Sequence, residues 1–279
     1  MLSLRSTVRV ARLVSGLTGL AAVLGVAAGT GTLHAVPQPG AAQVTGSDLT
    51  LTAAAAPTNA GKVFRWGLSQ WEDEFRAPLR SDWTVNQPRL ARIGIGMLTL
   101  NATPHSGTVA ATVTGHARRY GRWEARVRGN QFGTGHTPYR LAWELVPAGR
   151  YHCGGNSIVL DTHRLGARHA DMAVRIMPRR QFRAAFSANT ETWHTFAVEV
   201  TKHRISWFVD TRVVRSERRP AALSGVKYHM RFRLVAQPGA RMNPGRMQMD
   251  WVRYYTLARP NARSVKAPAL SRTTYRDGC

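Results

Sequence analysis

Lysine is almost missing: only Lys62, Lys202, Lys227 and Lys266 are lysines among 39 basic residues, which leaves 35 arginines. Acidic residues are scarce too, 15 in a chain of 279, and the formal net charge is +24. Two cysteines cannot build a disulfide framework or a four-cysteine zinc site. Long apolar runs are absent beyond the first segment, Leu13 to Ala35, and this excludes a polytopic helical membrane protein. A content of 43% hydrophobic and 8% aromatic residues is enough for a packed core and argues against wholesale disorder. At about 150 residues per domain, the chain has room for one large domain or two small ones.

Arg5, Arg9 and Arg12 precede the apolar run, which ends in small residues near Ala35. A charged n-region, an apolar h-region and a small-residue end describe a secretory signal peptide over residues 1–35. The alternative is an uncleaved N-terminal anchor, because the run approaches the ~20 residues of a membrane span. Both place the rest of the chain outside the cytosol, secreted or held at the cell envelope. Residues 36–61, with Pro37, Pro39 and Pro57, read as a linker. A folded domain is expected over 62–258 and a basic tail over 259–279. Outside the cytosol, Cys153 and Cys279 either form one disulfide or remain two thiols on separate loops.

The pattern from Lys62 onward is all-β. Met97-Leu98-Thr99-Leu100-Asn101, Thr195-Phe196-Ala197-Val198-Glu199-Val200 and Ile205-Ser206-Trp207-Phe208-Val209 alternate with period two. Gly, Pro, Asn and His clusters separate such runs. Roughly 200 residues of short strands without βαβ spacing predict one large jelly-roll sandwich. Trp123, Trp193, Trp207 and Trp251 fall in these segments and are expected in the core.

Several segments in order resemble glycoside hydrolase family 16, the laminarinase and β-glucanase family of concanavalin-like jelly rolls. Asp73-Glu74-Phe75 with Trp83-Thr84-Val85 is similar to the family's opening. Tyr120-Gly121-Arg122-Trp123-Glu124-Ala125-Arg126 is the nearest single match, and Met249-Asp250-Trp251-Val252-Arg253-Tyr254-Tyr255 resembles the closing strand. The ordered set spans residues 73–255.

The resemblance implies an active site of the form Glu-x-Asp-x-Glu or Glu-x-Asp-x-x-Glu on one concave strand. There the first Glu is the nucleophile, the Asp tunes it and the last Glu is the acid/base. Such a retaining mechanism needs two carboxyl groups roughly 5–5.5 Å apart. The matching segment here is Gly155-Asn156-Ser157-Ile158-Val159-Leu160-Asp161. Asn156 would stand at the nucleophile, Ile158 at the middle position and Asp161 at the acid/base. An amide cannot form the glycosyl ester, and isoleucine cannot hydrogen-bond a carboxylate. Among the remaining carboxylates, Glu144 in Leu141-Ala142-Trp143-Glu144-Leu145 stands out. Alternation places Arg140 and Glu144 on the concave face and Trp143 in the core. A Glu144–Asp161 pair would then be a relocated nucleophile and acid. The competing reading ties Glu144 to Arg140 or to another arginine.

Smaller signals follow. His152, His163 and His169 match no zinc spacing and read as exposed loop histidines. Asp250 matches an aspartate that in the family ligates a structural calcium, the one inorganic group that the resemblance suggests; no organic cofactor is implied. Arginine pairs at Arg118-Arg119, Arg179-Arg180 and Arg218-Arg219 suit carboxylate, sulfate or phosphate. No nucleic-acid recognition module is visible, so nucleic acid is not the expected partner. The leading expectation is a monomeric, exported, glycan-binding pseudoenzyme. It would hold a polysaccharide, of acidic cell-envelope type, near Arg140, Glu144, Asn156 and Asp161. The alternative is an active glycosidase on β-glucan-like chains through Asp161 and Glu144.

Overall fold

A computed structural model describes residues 58–149, 154–177, 180–260 and 267–274. Its strands, in chain order, are β1 (Trp71–Asp73), β2 (Trp83–Val85), β3 (Ala91–Gly94), β4 (Met97–Ala102) and β5 (Val109–Arg118). Then come β6 (Gly121–Gln131), β7 (Arg140–Pro147), β8 (Ile158–Arg164), β9 (His169–Met177) and β10 (Arg180–Ser187). The chain continues through β11 (His194–Val200), β12 (Ile205–Val209), β13 (Arg212–Glu217), β14 (Tyr228–Val235), β15 (Gly245–Tyr255) and β16 (Ser271–Thr274).

Two antiparallel sheets form a sandwich, as the period-two pattern requires. The first runs β13-β12-β11-β6-β15-β4-β3, with β1 also on β15; the second runs β16-β10-β9-β8-β7-β14-β5-β2. Along β14, Tyr228, Met230, Phe232 and Leu234 are buried, while the residues between them are partly exposed. Leu98 and Leu100 of β4, Val127 of β6 and Met247 and Met249 of β15 face the same core from the first sheet. Trp143 of β7 stacks on Phe232 with ring centroids 5.5 Å apart, and Trp123 and Trp207 are also interior, as expected. Trp193 differs. It is partly exposed, with the Arg126 and Arg128 guanidiniums over its ring at 5.1 and 4.5 Å.

Two boundaries differ from the sequence reading. The packed region begins at Asn59 rather than Lys62, because Ala60–Val63 forms a helical turn that carries Phe64 and Trp66 onto Ala197, Phe208 and Tyr255. Gly61 donates its N–H to Glu124 at 3.0 Å, and a Cβ there would stand 2.8 Å from both Glu124 and the Tyr255 hydroxyl, so the close approach needs glycine. At the other end, part of the segment read as a basic tail is structural: Leu270 is buried and β16 pairs with β10. Cys153 and Cys279 lie outside the described residues, as does the whole leader.

Candidate functional site

The site predicted from sequence falls on β7 and β8, adjacent in the middle of the second sheet. On β7, Leu141, Trp143 and Leu145 point into the core, which sends Ala142 and Glu144 to the outer face. On β8, Ile158 and Leu160 also belong to the core, and Val159 lies opposite Glu144. A bulge follows: Glu144 pairs with Val159 but Trp143 pairs with Asp161, so Leu160 is the extra residue. Asp161 therefore shares the inner side with Trp143, and Thr162, opposite Ala142, returns to the outer face.

This placement corrects the expected register. Asn156 is not on the strand at all; it sits before β8 in a turn, with φ 61°, in the left-handed region that asparagine tolerates. Ile158 is core. Asp161 is 1% exposed and lies between the sheets, where its Oδ1 is 2.9 Å from His163 Nδ1. His163 is consequently an interior residue and not the loop histidine that the sequence suggested. Its Nε2 lies 3.6 Å from where a Cβ would project from Gly129 of the facing sheet. His169 is exposed at the start of β9, and His152 lies outside the described residues.

The outer face of β8 is led by Ser157, Val159 and Thr162. That is the i, i+2, i+5 spacing implied by the resemblance, moved by one residue and carrying no carboxylate. Ser157 belongs to this face because its Oγ lies 3.4 Å from Arg175, which projects outward from β9.

Glu144 is fully buried on this outer face. Its Oε1 accepts a hydrogen bond from Arg175 at 2.8 Å, and its Oε2 accepts from Arg231 at 3.0 Å and Arg233 at 2.9 Å. Burial by itself would raise the carboxyl, but the charges of Arg233, Arg175 and Arg231 outweigh it and hold Glu144 well below the ordinary range. Arg140 is not among these partners; it stands opposite Arg164 at the far end of the β7–β8 pair. Arg175, Arg231 and Arg233 were not singled out from sequence. The signal was there, since Met230-Arg231-Phe232-Arg233-Leu234 puts two arginines on one side of a strand whose other side is apolar.

Beside Glu144 the outer face opens into a cleft of about 230 Å³. Arg140, Arg164, Arg175 and Arg183 line it with Thr162 and Asp171, over a floor of Val159 and Ala173. Asp171 is itself engaged by Arg183. The cleft is strongly electropositive, and among the described residues His163 is the one ring in its lining.

The remaining predicted ligand is engaged by a cation of the chain itself. Asp250 lies at a bulge in β15 and accepts a 2.7 Å hydrogen bond from Arg126, which supplies the positive charge that a calcium ion would bring. Among the described residues no group of three or more His, Cys, Asp and Glu side chains could hold a metal ion.

No family model matches the sequence, and no curated protein matches it either. Solved structures do. The laminarinase from Rhodothermus marinus aligns with a TM-score of 0.57 at 18% identity, covering 67% of this chain and 96% of that one. The catalytic domain of an endo-1,3-β-glucanase (laminarinase) from Thermotoga petrophila gives 0.57 at 14% identity, covering 69% and 98%. The endo-β-1,3-glucanase from Pyrococcus furiosus gives 0.56 at 16% identity, covering 67% and 94%. The fold is that of the laminarinases.

On this laminarinase fold the described cleft does not assemble the carboxyl pair sought from sequence. Glu144 and Asp161 occupy adjacent strands but opposite faces of the sheet, so one sugar ring cannot touch both. What the cleft offers is a cluster of guanidiniums, the group suited to bidentate recognition of a carboxylate, sulfate or phosphate, of which Arg175 and Arg183 already hold Glu144 and Asp171.

Proposed function

We propose that the protein is an exported glycan-binding protein that holds an acidic, envelope-type polysaccharide in the cleft of the second sheet without hydrolysing it. The observation that carries this reading is the state of Glu144. A nucleophile must be free to attack and a general acid must hold a proton; Glu144 is held ionised and enclosed by Arg175, Arg231 and Arg233. Asp161, on the inner side, is paired with His163.

The test is a binding panel with the full chain against laminarin, a neutral β-glucan, and polygalacturonate, an acidic chain, at low and high salt. Tighter, salt-sensitive binding of the acidic chain, weakened by Arg140→Gln and Arg164→Gln, is the expected result. Equal and salt-insensitive binding of both polymers contradicts the reading.

A further inference from the structure

A second polar surface lies on the opposite side of the sandwich, on the outer face of the first sheet. There the register aligns one residue from each of five neighbouring strands or their ends. Gln248 of β15 pairs with Arg128 of β6 on one side and with Thr99 of β4 on the other, and Thr99 pairs with Arg92 of β3. Trp193 completes the row, since His194 pairs with Val127 one position along. Two residues further, Asn130, Arg246 and Asn101 form a parallel row.

The first row is built, not merely exposed. Gln248 is 7% exposed, and its amide is fixed by chemistry at both ends. Its Oε1 accepts from Arg128 Nε at 2.8 Å, since a guanidinium can only donate, so its Nε2 faces Thr99 Oγ1 at 3.3 Å. Arg128 then has one face of its guanidinium against the Trp193 ring, while its terminal nitrogens have no hydrogen-bond partner among the described residues. Arg246 repeats the arrangement in the second row: its Nε donates to Asn101 at 3.1 Å and its guanidinium stands 5.0 Å from the ring of Phe132, itself 44% exposed. Arg92 is exposed and makes no hydrogen bond among the described residues. With Arg89 it borders a groove of about 520 Å³ that runs along Thr99, Asn101, Arg246 and Gln248.

A solvated sheet face normally mixes charges of both signs. These two rows carry three arginines and no carboxylate of their own; Asp250, further along β15, is held by Arg126, and Glu191 borders the second row, its carbonyl accepting from Asn130 at 3.5 Å. Strands stand about 4.8 Å apart, so the first row is a straight track of roughly 19 Å. We infer that this outer face is a second binding surface, which takes a linear acidic polysaccharide lying across the strands. Its anionic groups meet Arg92, Arg128 and Arg246, and a sugar face meets the exposed ring of Phe132, while Trp193, covered by Arg126 and Arg128, holds Arg128 in the row. Amide and hydroxyl groups of Gln248, Asn101 and Thr99 between the arginines serve the polymer's hydroxyls. Nothing in this surface depends on the cleft around Glu144.

The experiment measures binding of the full chain to polygalacturonate, dextran and a single-stranded oligonucleotide. The triple variant Arg92→Gln, Arg128→Gln, Arg246→Gln removes the charges, and Gln248→Glu keeps a partner for Arg128 while placing a negative charge in the row. Both variants, made in the Arg140→Gln, Arg164→Gln background so that the cleft no longer contributes, are expected to retain the thermal unfolding of a folded sandwich and to bind polygalacturonate at least tenfold more weakly than that background, with dextran negligible throughout. Unchanged polygalacturonate affinity in the triple variant overturns the inference, as does tighter binding of the oligonucleotide than of the polyuronate. Parallel Arg140→Gln, Arg164→Gln variants separate the two sites: if they abolish binding and the sheet variants do not, this inference falls and the cleft reading stands.

Discussion

Glu144 and Asp161 sit on neighbouring strands of one sheet and face opposite ways. The cause is a single bulged residue, Leu160, which pairs Val159 with Glu144 but Asp161 with Trp143. Glu144 meets arginines on the outer face, and Asp161 meets His163 between the sheets.

Replacing Glu144 with glutamine removes a fully buried carboxylate that offsets the Arg175, Arg231 and Arg233 guanidiniums. Breaking such a cluster costs about 3–5 kcal/mol. Because the Glu144 carboxyl is lowered in the folded state, its contribution is present above the ordinary glutamate range and is lost as pH falls through the lowered value. Denaturant unfolding at pH 7 should show the loss, and the wild type should approach the variant in strong acid. Equal stability at pH 7 would show that the cluster carries no net energy.

Glu124 predicts the opposite pH trend. Burial pushes its carboxyl up to about 7, against the Gly61 N–H, the Arg253 charge and the Tyr255 hydroxyl, which pull it down. A raised carboxyl favours the protonated folded state. Its contribution is therefore full below the unfolded value of 4.5 and is lost as pH rises through about 7. The difference is on the order of 3 kcal/mol. Glu124→Gln, which mimics the protonated form, should flatten the stability profile between pH 5 and 8, as measured by urea unfolding across that range. Parallel wild-type and variant profiles would contradict this.

Asp161→Asn tests the inner placement. It removes the negative charge from a buried 2.9 Å contact to His163 and should lower stability by about 1–3 kcal/mol. Polysaccharide affinity should stay within twofold of wild type, because the residue does not reach the cleft. A large loss of affinity at unchanged stability would place Asp161 at the ligand.

Trp66→Ala tests the N-terminal boundary. The ring is 2% exposed and packs edge-on to Phe208 and Tyr255 at 5.2 and 5.5 Å. Its removal should cost about 3–5 kcal/mol, read as a lower melting temperature. No change would mean that residues 59–66 are an attached linker after all.

The architecture was legible because strands such as Met97–Ala102 and Tyr228–Val235 alternate cleanly, and alternation reports which face is buried. The site was legible only in location. The sequence locates strands β7 and β8 but gives the wrong side for Ile158 and Asp161 and extends the strand to Asn156, because β8 is buried on both faces and its run Ile158-Val159-Leu160 has no period-two signal. A bulge of one residue exchanges inside and outside, and no residue type marks it here. The N-terminal turn was missed for a different reason: four residues carry no periodicity, and only their packing on Tyr255 and Phe208 makes them structural. Trp193 reads as core in the sequence because hydrophobicity alone does not distinguish an indole in the interior from one covered by arginine.

The most direct measurement incubates the full chain with laminarin and with polygalacturonate and follows binding and reducing-end release together. Binding of the acidic polymer with no release from either is the expected result. Release that depends on protein concentration and disappears in Glu144→Gln, with that variant still folded, would contradict it and make Glu144 a catalytic group.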